Sequence, residues 1–462
     1  MLDLAIKGGT VVLESGVFAA DIGIEGAQVT HVVRSGGLPP ARRELNAEGM
    51  LVLPGAIDIH FHVRAPGHPE RGTFTTESHA AVAGGVTTVL EMPISVPCCA
   101  TPEVFARRKA LGEAESFVNF GLYGAPGLLD RDGIHGMAEL GACGFKIFTH
   151  GVQPGREEEF LGLCLPDEDD IYVALELIKE TGLLTTFHAE NDRLIRLFEG
   201  RVRAAGRLDP AGFAASRPAV VEAMSVAQLA VLCGAVGGRV HIAHVSGAAP
   251  LAELRAAQAR GLPMTGETCP HYLWYTVEDL IRLGPYALLK PPLRDEADRL
   301  ALWEGLRDGT LMAVTTDHSP FTAAEKARGE HNIWQAAIGT PGVEALVPCV
   351  MTEALDGRIT LQEAVRFLCS QPARLFDLYP RKGVLQPGAD ADVLIYDPRE
   401  VGVIDSSTWH TKARVIERMY HGHRSHGHVH ATIVNGVATF HAGRIVAEQP
   451  HGRFVRPGEA AY

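Results

Sequence analysis

Residues 56–63 read AIDIHFHV, an apolar run too short for a helix and rich in β-branched and aromatic residues, the pattern of a strand buried on both faces. Side chains alternate along a strand, so His60, His62 and the following Arg64 are expected on one face. Polar groups on such a face need partners, because burying them unpaired is costly. A lone His-x-His pair fits hydrogen-bonded core histidines as well as a metal site.

Similar runs recur downstream: VTTVLEMP (86–93), NFGLYGAP (119–126), GFKIFTH (144–150), LLTTFHAE (183–190), RVHIAHVS (239–246), PMTGETCPHYL (263–273) and LMAVTTDHSP (311–320). Helix-patterned segments lie between most of them, among them 73–85, 167–182 and 248–261. Eight strands alternating with helices predict an α/β chain built on a (β/α)8 TIM barrel. A doubly wound open sheet fits less well, since no Gly-rich dinucleotide fingerprint follows the first strand.

The flanks have another texture. LAIKGGTVV and ADIGIEGAQVTHVV near the start, and GVLQPGADADVLIYDP and HATIVNGVATFHAGRIVAE near the end, read as short strands with turns. Neither flank makes a domain alone, so both ends are expected to meet in one small β-sandwich. The expected division is 1–52 for its N-terminal part, 53–380 for the barrel, and 381–462 for its C-terminal part and tail.

The 462 residues are 46% hydrophobic and 21% charged, which describes a globular protein with a large core. A formal charge of −13 argues against nucleic-acid and membrane-surface partners. MLDLAIKGGTVV lacks the pattern of a signal peptide, and no apolar run is expected to span a bilayer. The eight cysteines show no CxxC spacing; free thiols in a cytoplasmic setting are the expectation.

The informative polar residues fall at strand ends: His60 and His62, Lys146, His188, His244 and Asp317. Parallel barrels gather the C-terminal ends of their strands at one rim, where active sites sit. Each residue alone has a plain structural explanation, but imidazoles and a carboxylate on one rim form a metal-binding set.

In order and spacing, PGAIDIHFHV, AGGVTTVLEMP, GFKIF, HAEN, HIAHVS, ETCPHYL, KPPLRDEADR, TTDHSPF and PGADADVLIYDP resemble the amidohydrolase superfamily, specifically its cyclic-amide hydrolases. These are the allantoinases, hydantoinases, dihydropyrimidinases and dihydroorotases, and the resemblance covers nearly the whole chain. It implies two zinc ions per chain: His60, His62 and Asp317 on one, His188 and His244 on the other. A carboxylated Lys146 and a hydroxide would bridge them. It further implies hydrolysis of a ring C–N bond, with Asp317 as the catalytic proton carrier, in a homo-oligomer (dimer or tetramer).

The ring itself is harder to read. Arg64 stands where dihydroorotases hold a substrate carboxylate, but Ile94 and Phe321 replace the asparagine and histidine expected beside it. Thr149, His150 and Gly151 follow GFKIF where dihydropyrimidinases continue to a tyrosine, and Pro341 replaces their loop asparagine. The DHSP motif and the C-terminal segment lean towards allantoinase, although allantoinases usually carry asparagine at position 64. Allantoinase is the leading reading, ahead of dihydroorotase and of hydantoinase or dihydropyrimidinase. Lys290, before PPLR, joins Arg64 as a candidate substrate contact. A non-catalytic scaffold related to dihydropyrimidinase is the rival from another class; retention of all six ligands weighs against it. The histidine-rich HGHRSHGHVH (421–430) and the pair Cys98–Cys99 are expected to serve structure.

Overall fold

The computed structural model describes residues 1–127, 129–153 and 155–459. Eight parallel strands run in sequence order around the centre: Ala56–Phe61, Val86–Glu91, Asn119–Gly124, Gly144–Phe148, Leu184–His188, Val240–Ile242, Met264–Thr268 and Ala313–Val314. Closure is made where the His62 amide donates to the His318 carbonyl at 3.0 Å, beside a parallel bridge between Phe61 and His318. The strands are buried almost throughout, as parallel strands covered by helices must be.

Local sequence sets where the helices start. Thr73 caps Phe74–Ala83 through a capping box with Thr76, and Asp130 accepts two backbone N–H bonds at the head of Arg131–Leu140. Glu168–Glu180 opens with three acidic residues and closes near Lys179, both favourable to the helix dipole.

The chain ends meet as expected. A nine-stranded sheet joins Leu2–Leu13, Gly16–Glu25, Gln28–Val33, Ala41–Asn46 and Leu51–Pro54 to Val393–Val403, Arg424–Val434, Val437–His441 and Arg444–Ile445. The junction is the antiparallel pairing of Leu51–Pro54 with Val393–Tyr396. Leu4, Ile6, Ile22 and Val52 from one end share a core with Val393, Ile395, Ala431 and Ile433 from the other, so both ends form one β-sandwich domain. Asp392 ties this domain to the barrel: it accepts from Asn119 Nδ2, from Lys382 Nζ at 2.6 Å and from the Asn435 amide.

Three expectations need correction. The first strand ends at Phe61, and Arg64 has φ 74°, so a left-handed turn rather than strand alternation aims that side chain. The sixth strand stops at Ile242, two residues before His244. Pro210–Val236 is long and apolar enough, by length and composition, to cross a membrane, contrary to the reading that no run reaches that length. In the fold it splits into Pro210–Ala215 and Ala219–Val236, and the second helix buries Val221, Val226, Leu229 and Cys233 in the barrel's outer ring.

The two structural readings made from composition fit what is seen. All eight cysteines are free; burial pushes the Cys98 thiol far up and that of Cys99 to about 12, which leaves both unreactive. Within 421–430 the histidines disperse: His423 stacks on Trp274 at 3.9 Å, His426 pairs with Asp356, and His430 meets His441.

Candidate metal centre and substrate pocket

One end of the barrel carries a pocket lined by His60, His62, His188, His244 and Asp317, with Arg64 and Lys290 also on its wall. His60 comes from the first strand and His188 ends the fifth; His62, His244 and Asp317 lie just past the ends of theirs. Arg64, His244 and Asp317 have φ of 74°, 39° and 48°. Non-glycine residues held there cost about 1–3 kcal/mol each, and such strain gathers at functional sites.

His60 Nε2 and His62 Nε2 lie 3.4 and 3.2 Å from the same oxygen, Asp317 Oδ1. Ligand bonds of about 2.1 Å in tetrahedral geometry set donor atoms about 3.4 Å apart, so this spacing suits one metal ion. His188 Nδ1 stands 3.1 Å from His244 Nε2, and the His60 and His244 rings are 5.1 Å apart. The two donor groups are therefore neighbours across one floor.

Carboxylates behind the imidazoles set their tautomers. Glu267 Oε1 accepts from His60 Nδ1 at 2.6 Å, leaving Nε2 as the lone pair towards Asp317. Glu190 Oε2 accepts from His188 Nε2 at 2.8 Å, leaving Nδ1 towards His244. A carboxylate holding the far nitrogen is the usual support of a metal-binding histidine. Burial pushes the His60 and His188 imidazoles down to about 4, and those of His62 and His244 well below their usual value. All four are neutral at physiological pH, the form that binds metal.

Lys146 lies on the fourth strand, fully buried, and its ammonium acts on His60, His62, His188, His244 and Asp317 together. Among the described residues its Nζ has no hydrogen-bond partner, and neither do His62 Nδ1 and His244 Nδ1. Burial drives the Lys146 amine down and the Asp317 carboxyl up, the latter opposed by Lys146 and Arg64. Unpaired buried polar atoms on this scale call for something further in the site. The residues fit a metal centre.

All eight residues singled out from the sequence thus gather at or beside one pocket. Arg64 is buried, donates from Nη2 to Ser319 Oγ and stacks over Phe321 at 4.9 Å, with Nε and Nη1 unpaired among the described residues. Burial lowers it only to about 10, so it stays charged. Sequence reasoning missed the two supporting carboxylates, although both stand in motifs it singled out, Glu190 in HAEN and Glu267 in ETCPHYL. It also passed over His150, which forms a second donor group with His188 and Glu190. Asp58 was missed too: it accepts from the Thr316 amide at 3.1 Å and from the Thr315 and Thr316 hydroxyls, anchoring the turn before Asp317.

A family model described as "Amidohydrolase family" matches residues 51–439. The chain is 35% identical over 461 residues to an allantoinase of Rubrobacter xylanophilus, covering 98% of each. It is 31% identical over 459 residues to an L-hydantoinase of Paenarthrobacter aurescens, again covering 98% of each. The solved structure of an L-hydantoinase (dihydropyrimidinase) from Arthrobacter aurescens superposes with a TM-score of 0.93 at 30% identity, over 99% of this chain and 100% of that one. The chain is an enzyme of the amidohydrolase family, in the branch that hydrolyses C–N bonds of cyclic amides.

Proposed function

We propose that this enzyme opens a cyclic ureide or amide ring at a binuclear zinc centre held by His60, His62, Lys146, His188, His244 and Asp317. The observation that carries the reading is their convergence on one floor with neutral imidazoles, a shared Asp317 oxygen and an unpartnered Lys146 amine. Reaction of that amine with carbon dioxide, forming an N–C bond and releasing a proton, would turn a misfit cation into an anionic oxygen ligand for the metal. Two zinc ions, when bound, acidify water at neutral pH and polarise the carbonyl under attack. Asp317 takes the proton of the attacking water and returns it to the leaving ring nitrogen. A carboxyl raised by burial suits that exchange. Glu267 and Glu190 hold the imidazoles in orientation throughout.

Allantoin is the ring the sequence puts first, and the 35% identity to an allantoinase supports it. A ring bearing an acid is the second reading, favoured by Arg64 and Lys290 on the pocket wall. The proposed division is a barrel at 53–380 between flanks 1–52 and 381–462, with strand Leu51–Pro54 crossing the first boundary. Self-association as a dimer or tetramer belongs to the proposal; exposed Val220, Met224 and Val231 on the outer helix support it. Free cysteines fit a cytoplasmic setting. The test is ring opening by zinc-loaded protein with allantoin, dihydroorotate, dihydrouracil and 5-substituted hydantoins. Turnover of at least one is expected; no turnover of any, with metal bound, contradicts the reading.

A further inference from the structure

Outside the metal floor the pocket widens into a vestibule. His150, Val152, Gln153, Arg156, Lys290 and Ile338 line both spaces and so form the neck between them. The vestibule wall carries seven lysine and arginine residues against four aspartates and glutamates, in a chain whose formal charge is −13. Each of those four carboxylates is already paired with an arginine of the same wall. Arg217 on the vestibule wall is taken by Glu190 at 2.7 Å. Lys290 is different: among the described residues no carboxylate lies within ion-pair distance of it and it makes no side-chain hydrogen bond.

We propose that Lys290 is a specificity-determining residue that binds an anionic group, a carboxylate, on the substituent of the ring, at the neck of a cationic vestibule. The proposal rests on the ring-opening reading and names its substrate class. It develops the second of the two rings named above, the one that bears an acid, since the ureido substituent of allantoin is uncharged. An amine held beside Arg217 and Arg156, with Glu190 and Glu199 opposing them only from beyond ion-pair distance, is a poor cation; burial first, and then Arg217, push it well below its usual value. A carboxylate at the neck supplies the missing charge, in a half-enclosed site where such a bond is stronger than in water. The surplus positive wall draws anions in, an effect that salt screens. Arg64, further in, keeps Nε and Nη1 without a hydrogen-bond partner among the described residues, free for the ring itself.

The test is calorimetric binding of 5-carboxymethylhydantoin and its neutral carboxamide to the zinc-loaded enzyme, together with ring opening of both. The acid is expected to bind at least about tenfold more tightly than the amide, with an advantage that shrinks as salt rises. Lys290→Met should bring the two affinities together, and Lys290→Arg should keep them apart. Equal binding of acid and amide by the wild type, no binding of the acid, or a preference that survives Lys290→Met overturns the proposal. If neither ring opens while the acid is still preferred, the ring-opening reading fails and this one stands.

Discussion

At the scale of single residues the site depends on protons placed by burial and by the carboxylates behind the imidazoles. Asp317→Asn keeps a metal-binding oxygen but removes the base. Turnover should fall by at least about 100-fold, the usual contribution of a positioned acid–base group, while bound metal, measured by elemental analysis, is largely retained. Glu267→Gln acts through His60. It should weaken metal affinity about 10–100-fold, read as zinc loss to a competing chelator. Strand ends and motif order made His60, His62, His188, His244, Lys146 and Asp317 legible. Glu267 was not, because its meaning depends on His60, 207 residues away, and a carboxylate in a strand looks the same whether it meets a histidine or solvent.

At the scale of elements, the segment after the fourth strand closes one side of the pocket, with Arg156 and Phe160 on the wall. Glu159 pins it by accepting from Arg71 at 3.0 Å and from Arg156 at 2.5 Å. Burial raises the Glu159 carboxyl, but Arg156, Arg64 and Arg71 outweigh that and bring it to about 2. Its folded value lies below its unfolded one, near 4.5. The stabilisation is therefore complete above about pH 4.5 and is lost as the pH falls from there towards 2. Glu159→Gln should mimic that loss at neutral pH, seen as faster tryptic cleavage after Arg156. Strands and capped helices were readable because apolar runs and Thr or Asp caps are local signals. This segment has only the short apolar stretch FLGLCL at 160–165; the part before it is held through Glu159 by Arg71 on a distant loop. The early ends of the first and sixth strands were hidden for a similar reason, since turns that bring Arg64 and His244 to the floor have positive φ without glycine.

At the scale of the whole molecule, two chain ends make one domain, and Asp392 locks that domain to the third barrel strand. Asp392→Ala leaves the Lys382 ammonium with Asp390 alone at 2.8 Å and removes the acceptor for Asn119. A loss of about 3 kcal/mol is expected, as for a broken buried ion pair, measured by denaturant unfolding. The texture of the flanks foretells that they meet, whereas the apolar stretch ending at Val236 is ambiguous in sequence, because an alanine-rich core helix and a membrane span share composition.

The central claim, that six side chains hold a binuclear zinc centre on the barrel floor, is tested most directly by the metal content of the protein purified without chelators. Two equivalents of zinc per chain in the wild type, falling to one or fewer in Lys146→Ala, is the predicted result. A wild-type chain that holds one equivalent or none, or a Lys146→Ala variant that keeps both, would contradict it.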